Sequence, residues 1–133
     1  MKGRIRTQDG HVFKAGRVLG AGKSRVVFEL RGLPDFVIKI AHRTNAGEHN
    51  RDEWAHWKTA SEDEKKWLCP CKAIYDNGIY LVQRRGEPVT KAQVAQALKR
   101  APCWVKNRDD KKHQNFVMLD GRVVFCDYGK GKK

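Results

Sequence analysis

The chain has 133 residues, 40% of them hydrophobic, with four tryptophans spread along it; that suffices for one domain with a real core, is too short for two ordinary domains, and is not the composition of a disordered segment. Twenty-eight Lys and Arg against fifteen Asp and Glu leave a formal charge of +13, which favours anionic partners such as a nucleotide, a nucleic acid or an acidic protein surface. No apolar stretch approaches the ~20 residues that span a bilayer, and the N-terminal MKGRIRTQDG has no apolar signal segment, so the expectation is a cytosolic protein without a membrane partner.

In chain order, HVFKAGRVL, GAGKS and RVVFEL predict two strands joined by a glycine-rich turn between Val12 and Leu30. After a turn holding Gly32 and Pro34, Phe36-Val37-Ile38-Lys39-Ile40-Ala41 predicts a third strand, apolar except for one lysine. From Thr44 or Asn45 the spacing of Glu48, Asp52, Glu53, Trp54, Trp57 and Lys58 predicts a helix. Ser61 with Glu64 is a capping box for a short second helix that Pro70 ends.

Asn77-Gly78 sits between two β-prone runs in CKAIYDNGIYLVQRR and predicts a hairpin, because that dipeptide tolerates positive φ. Thr90 is placed to cap a helix over KAQVAQALKR, closed by Pro102. The last third starts as a polar loop and ends as a second hairpin, FVML-DG-RVVF, followed at once by Cys126-Asp127-Tyr128-Gly129. No repeat, low-complexity segment or linker divides the chain.

Several residues carry chemical meaning. A lysine inside an apolar strand, Lys39, demands an anionic partner to offset its desolvation. Gly22-Lys23-Ser24 suggests a Walker A loop, but Arg17 stands where its first glycine belongs and a strand, not a helix, follows. Cys69, Cys71 and Cys103 with His113 are weighed as a zinc set; a single C-x-C is a poor metal signature, and buried free thiols are common. The basic residues are scattered from Lys2 to Lys133, as on a solvated surface, and Trp54, Trp57 and Trp104 read as core or as base-stacking platforms.

The order of four features resembles the protein-kinase signature set: a glycine-rich turn, a strand lysine, a helix glutamate, and an Asp-containing loop closed by a strand-borne Asp-x-Gly. Leu19-Gly20-Ala21-Gly22-Lys23-Ser24-Arg25-Val26-Val27 is similar to the glycine-rich loop, without its third glycine, and Phe36-Val37-Ile38-Lys39 to the V-A-I-K strand. The resemblance implies that Gly20, Gly22, Val27 and Lys39 bind ATP, and that Glu53, with Glu48 as the fallback, fixes the lysine. Asp110 to Asn115 has the catalytic-loop spacing, which implies Asp110, with Asp109 as competitor, for orienting an acceptor hydroxyl, and Asn115 for a metal ion. Asp127-Tyr128-Gly129 resembles the D-F-G motif, which implies Asp127 as a ligand of Mg²⁺. His113 resembles the histidine of the D-x-H-x-x-N loops of small-molecule kinases, out of register.

The fold implied is α+β, with a kinase-like N-lobe of antiparallel sheet and helix C over residues 1–84 and a strongly reduced C-lobe over 85–133. The activation segment and the peptide-docking helices of that family have no counterpart in these residues. Three functions follow as alternatives: an ATP- and Mg²⁺-dependent phosphotransferase acting on Ser or Thr of a protein or of itself; a kinase-like regulator that binds nucleotide or a host partner; and a basic nucleic-acid-binding module. Small basic kinase-like proteins of this sort resemble those encoded by bacteria and their viruses.

Overall fold

A computed structural model describes residues 3–42, 47–106 and 113–128. The chain is α+β: a curled six-stranded antiparallel sheet with a few short helices and a separate two-stranded hairpin. The strands are β1 (Gly3–Arg6), β2 (Val12–Ala21), β3 (Arg25–Leu30), β4 (Phe36–Ala41), β5 (Cys71–Tyr75) and β6 (Tyr80–Arg84), in the order β1-β2-β3-β4-β6-β5. The hairpin pairs β7 (Phe116–Leu119) with β8 (Arg122–Phe125). None of the described helices is long and apolar enough to cross a membrane.

Local chemistry accounts for most of these elements. Asp120 and Gly121 both take positive φ, 52° and 81°, as a tight β-hairpin turn requires. The β5–β6 connection is wider than a two-residue turn: Tyr75 pairs with Tyr80 across four residues, of which Asp76, Asn77 and Gly78 take positive φ and Ile79 does not. The Ser61 capping box starts α2 (Glu62–Lys65), and Thr90 with Gln93 forms a second one at the start of α3 (Lys91–Lys99). β1 was not expected from sequence, and neither was the short helix α4 (Cys103–Lys106), which falls where a polar loop was read.

The long helix α1 (Glu48–Thr59) connects β4 to β5 and lies against the sheet. Thr44 and Asn45, its expected start, lie outside the described residues; Gly47 at φ +85° precedes its first turn. That glycine packs directly on Gly78, where an added Cβ would lie 2.6 Å from the Gly78 carbonyl carbon. Asn50 donates to the Gly78 carbonyl at 2.8 Å and to the Lys39 carbonyl at 3.0 Å, and Arg51 donates to Asn77 O at 2.7 Å. The first turn of α1 is thereby fastened to the β5–β6 turn and to β4.

The two faces of the sheet carry different cores. Ile38 and Val82 join Ile5, Ala15, Phe28 and Leu30 on one face. On the other, Leu81 joins Leu68, Val94, Val105, Phe116, Phe125 and Tyr128, contributed by the helices and the terminal hairpin. Strand alternation sends Lys39 toward this second face while Ile38 enters the first. The hairpin is held there by backbone bonds from Cys69 N to Phe125 O (2.6 Å), from Phe125 N to Trp67 O (2.8 Å), and by a reciprocal pair between Glu87 and Met118. Gly86 lets the chain pass Val117, since a Cβ there would lie 2.5 Å from the valine methyl.

Candidate functional site

Three strands place the first half of the site. In the register of β2, β3 and β4, Gly20 pairs with Val27, which pairs with Lys39, so these sequence-predicted residues form one cross-strand row. Arg25 lies two residues before Val27 and so projects to the same face. At Gly20 an added Cβ would meet nothing within 4 Å and at Gly22 only Arg25 O at 3.9 Å, and neither has positive φ, so crowding within the chain does not require glycine at either place. Gly22 closes the turn by donating to Arg25 O at 2.9 Å, and its own carbonyl accepts from His42 Nε2 at 2.9 Å.

Helix α1 supplies the second layer. Glu53 is fully buried and its Oε1 accepts from Lys39 Nζ at 2.8 Å, so Glu53, and not the exposed Glu48, is the partner of the strand lysine. Arg25 Nη1 reaches the same oxygen at 2.8 Å. Glu53 Oε2 accepts the Tyr128 amide at 2.6 Å, which joins helix to terminal segment. Lys39 Nζ also donates to the Cys126 carbonyl.

The residues after β8 complete the cluster. Asp127 Oδ1 accepts from Arg25 Nη2 at 2.7 Å and lies 3.1 Å from His49 Nε2, while His49 Nδ1 is 2.5 Å from Ser24 Oγ. Asn50 Oδ1 takes a further Arg25 bond at 2.7 Å. Asn115 lies across the hairpin end from Asp127, its carbonyl accepting from Cys126 N at 2.8 Å. Asp109 and Asp110 lie outside the described residues, as does Gly129.

The charges are mutually compensated. Burial alone would raise the Glu53 pKa, but Arg25 and Lys39 outweigh it and bring it down to about 2. Asp127 is likewise held below the ordinary carboxylate range: burial opposes, while the His49 hydrogen bond and the Arg25 and Lys39 charges prevail. Burial works against the charge of Arg25, yet Glu53 and Asp127 hold its pKa above the usual value. Two cations and two carboxylates are thus locked together, with Arg25, Lys39 and Glu53 almost wholly buried and the Asp127 side chain 40% exposed.

His49, Glu53 and Asp127 bring three ligand-type atoms within 4.8 Å of one another. They do not make a three-ligand metal site as they stand. Both oxygens of Glu53 and both ring nitrogens of His49 are engaged by neighbours within the chain. Asp127 differs, because its described bonds use Oδ1 and its side chain is 40% exposed. A single partly exposed carboxylate fits the habit of Mg²⁺, which takes one or two protein carboxylates and completes its shell with water and phosphate.

The zinc set does not assemble. Among the described residues Cys69, Cys71 and Cys103 do not come together as a ligand cluster: Cys69 and Cys71 are buried, with Cys71 Sγ 3.2 Å from Tyr128 Oη, while Cys103 is exposed. The Walker reading fails on structure too, since β3 and not a helix follows Ser24. Trp54, Trp57 and Trp104 pack partly buried against the second core.

Arg25, His49, Asn50 and Ser24 were not singled out from sequence. Two had a signal. His49 and Asn50 precede Glu53 by four and three positions and therefore share its helix face. Arg25 alternates with Val27, and in the kinase-like pattern it stands where the third glycine would be. No protein-family model and no curated protein matches the chain.

Proposed function

We propose that this chain is an ATP- and Mg²⁺-dependent phosphotransferase of protein-kinase-like type, with a kinase-like N-lobe and a much reduced C-lobe, acting on Ser or Thr of a protein partner or of itself. One observation carries the reading: a buried strand lysine is paired at 2.8 Å with a glutamate of the helix that follows, beside an Asp borne on the terminal hairpin. The lysine–glutamate pair and the metal-binding Asp are the parts that must be in place together for phosphoryl transfer in protein kinases. Under this reading Glu53 orients Lys39 toward phosphate oxygens, and the open turn at Gly20 and Gly22 exposes backbone to them. Asp127 and Asn115 would hold the metal, whose contribution is to neutralise charge on the phosphates. Asp110, or Asp109, would orient the acceptor hydroxyl, so that positioning and electrostatics supply the rate.

A second reading, a kinase-like regulator without turnover, is favoured by Arg25. Its guanidinium occupies Asp127 Oδ1 in the place where the kinase-like pattern expects a glycine without a side chain. One set of measurements separates the two: calorimetric titration of wild type, Asp127→Asn and Lys39→Ala with ATP and Mg²⁺, and transfer of labelled γ-phosphate. The phosphotransferase gives transfer that both substitutions abolish. The regulator gives nucleotide binding without transfer, and absence of binding in wild type overturns both.

A further inference from the structure

A groove of about 440 Å³ lies between α3, the β7–β8 hairpin and the residues that follow α2, away from the Lys39–Asp127 cluster. Its floor is apolar: Trp67, Ala97, Met118 and Val123, each half-buried, leave one face of each side chain open to it. The floor is firmly held, because Trp67 O accepts from Phe125 N at 2.8 Å and Met118 exchanges two backbone bonds with Glu87. Around the rim stand three exposed cations, Lys66, Arg100 and Arg122, with no Asp or Glu among the described lining residues. Lys66 has only a loose surface pair at 3.6 Å with Asp63, and Arg100 and Arg122 have no ion pair among the described residues. The nearest acid of the hairpin, Asp120, lies 3.7 Å from Arg84.

We propose that this groove binds an acidic peptide segment of a partner protein, which inserts an aliphatic or aromatic side chain against Trp67, Met118 and Val123 while its carboxylates meet Lys66, Arg100 and Arg122. Both halves of that chemistry are required. An apolar floor without fixed charge suits a hydrophobic anchor, which supplies affinity on burial, and exposed rim cations select an anionic chain and speed its encounter. Gln96 on the exposed face of α3 adds an amide that can both donate to and accept from a peptide backbone. A single-stranded nucleic acid is a poorer occupant, because it needs exposed rings on which successive bases stack, and this floor offers one half-buried tryptophan among aliphatic side chains. The inference does not depend on the phosphotransferase reading.

The test is fluorescence anisotropy with the whole chain and a labelled peptide, Glu-Asp-Glu-Leu-Phe-Asp-Glu, without nucleotide. Its apolar-free counterpart, in which Ser replaces Leu and Phe, is measured beside it. Binding is expected for the first peptide, weaker by about tenfold or more for the second and for Arg100→Glu combined with Arg122→Glu. A control with the same change in net charge, Lys14→Glu in β2 with Arg31→Glu in the turn after β3, both exposed and neither lining the groove, is expected to bind as wild type does. Met118→Ala, checked for an unchanged fold by circular dichroism, is expected to weaken the apolar peptide and leave the serine peptide unaffected. Equal loss in both charge-reversal pairs, equal affinity for the two peptides, or displacement of the peptide by a short oligothymidine that binds more tightly would each overturn the proposal.

Discussion

Glu53 and Tyr128, seventy-five positions apart, are joined by a 2.6 Å bond from the tyrosine amide to the glutamate carboxylate, so the helix that orients the strand lysine also anchors the end of the described chain. The Tyr128 ring is fully buried, with its hydroxyl donating to Cys69 O at 2.9 Å. Geometry at Asp127 is therefore inherited from residues on either side of it, Cys126 against Lys39 and Tyr128 against Glu53.

Removing Glu53 should be severe. Glu53→Ala leaves Arg25 and Lys39 buried without their shared counter-ion and is expected to cost about 3–5 kcal/mol in urea unfolding. Glu53→Gln, which can still accept the Tyr128 amide, should cost less. Equal loss in the two variants would place the damage in the lost charge and not in packing or the Tyr128 bond.

Acid should weaken the fold through the same residue. The Glu53 carboxyl lies at about 2 in the folded chain against an ordinary value of 4.5. A depressed folded value contributes stability that is complete above the unfolded pKa and disappears as pH falls through the folded one. Stability is thus expected to be flat in this contribution above about pH 5 and to decline from there toward pH 2, by on the order of 3 kcal/mol. Asp127, shifted in the same direction, adds to the decline. Urea midpoints measured across that range check it, and Glu53→Gln should flatten the profile.

Much of the scaffold was legible because its signals are local. The Ser61 capping box, the Thr90 cap, Asn77-Gly78 and Asp120-Gly121 each act within a few residues, and the structure uses all four. β1 escaped because Gly3–Arg6 holds one apolar side chain, Ile5, which is buried only once β2 lies beside it. The α4 residues escaped for a similar reason: Val105 is fully buried in a core assembled from distant elements. At the site, Lys39 stood out because a charge in an apolar strand asks for a partner, and Glu53 because the kinase-like pattern expects a helix glutamate after it. The role of Arg25 depends on Asp127, 102 positions later, and no local pattern announces that.

Arg25 should act as a brake on cations at Asp127. Arg25→Met removes the guanidinium from Oδ1, and the variant is expected to bind Mn²⁺ more tightly than wild type in calorimetry while unfolding at lower urea concentration. Unchanged metal affinity would mean that the arginine does not compete for the carboxylate.

Two glycines should resist substitution for different reasons. Gly86→Ala drives a methyl to 2.5 Å from Val117 and should cost about 1–3 kcal/mol of overpacking, while Gly47→Ala meets backbone at 2.6 Å in a positive-φ conformation and should cost at least as much. Thermal unfolding of the two variants beside Gly20→Ala, whose added methyl meets nothing within 4 Å, provides the comparison.

Thiol reactivity should separate cleanly. Cys103 is exposed, whereas Cys69 and Cys71 are buried and burial pushes the Cys126 thiol up to about 11. A thiol reagent is expected to modify Cys103 first in the native protein, the half-buried Cys126 more slowly, and Cys69 and Cys71 only on unfolding, as peptide mass mapping would show.

Because Lys39 and Arg25 find their counter-charges in Glu53 and in the stretch from 126 to 128, the antiparallel sheet emerges from a ribosome long before its inward-facing cations can all be satisfied. Until that stretch arrives, a nascent chain carries a half-neutralised basic cluster and a sheet face without its hairpin cover, the kind of intermediate that invites chaperones or premature association. The cluster can therefore close only once residues 126 to 128 have been synthesised.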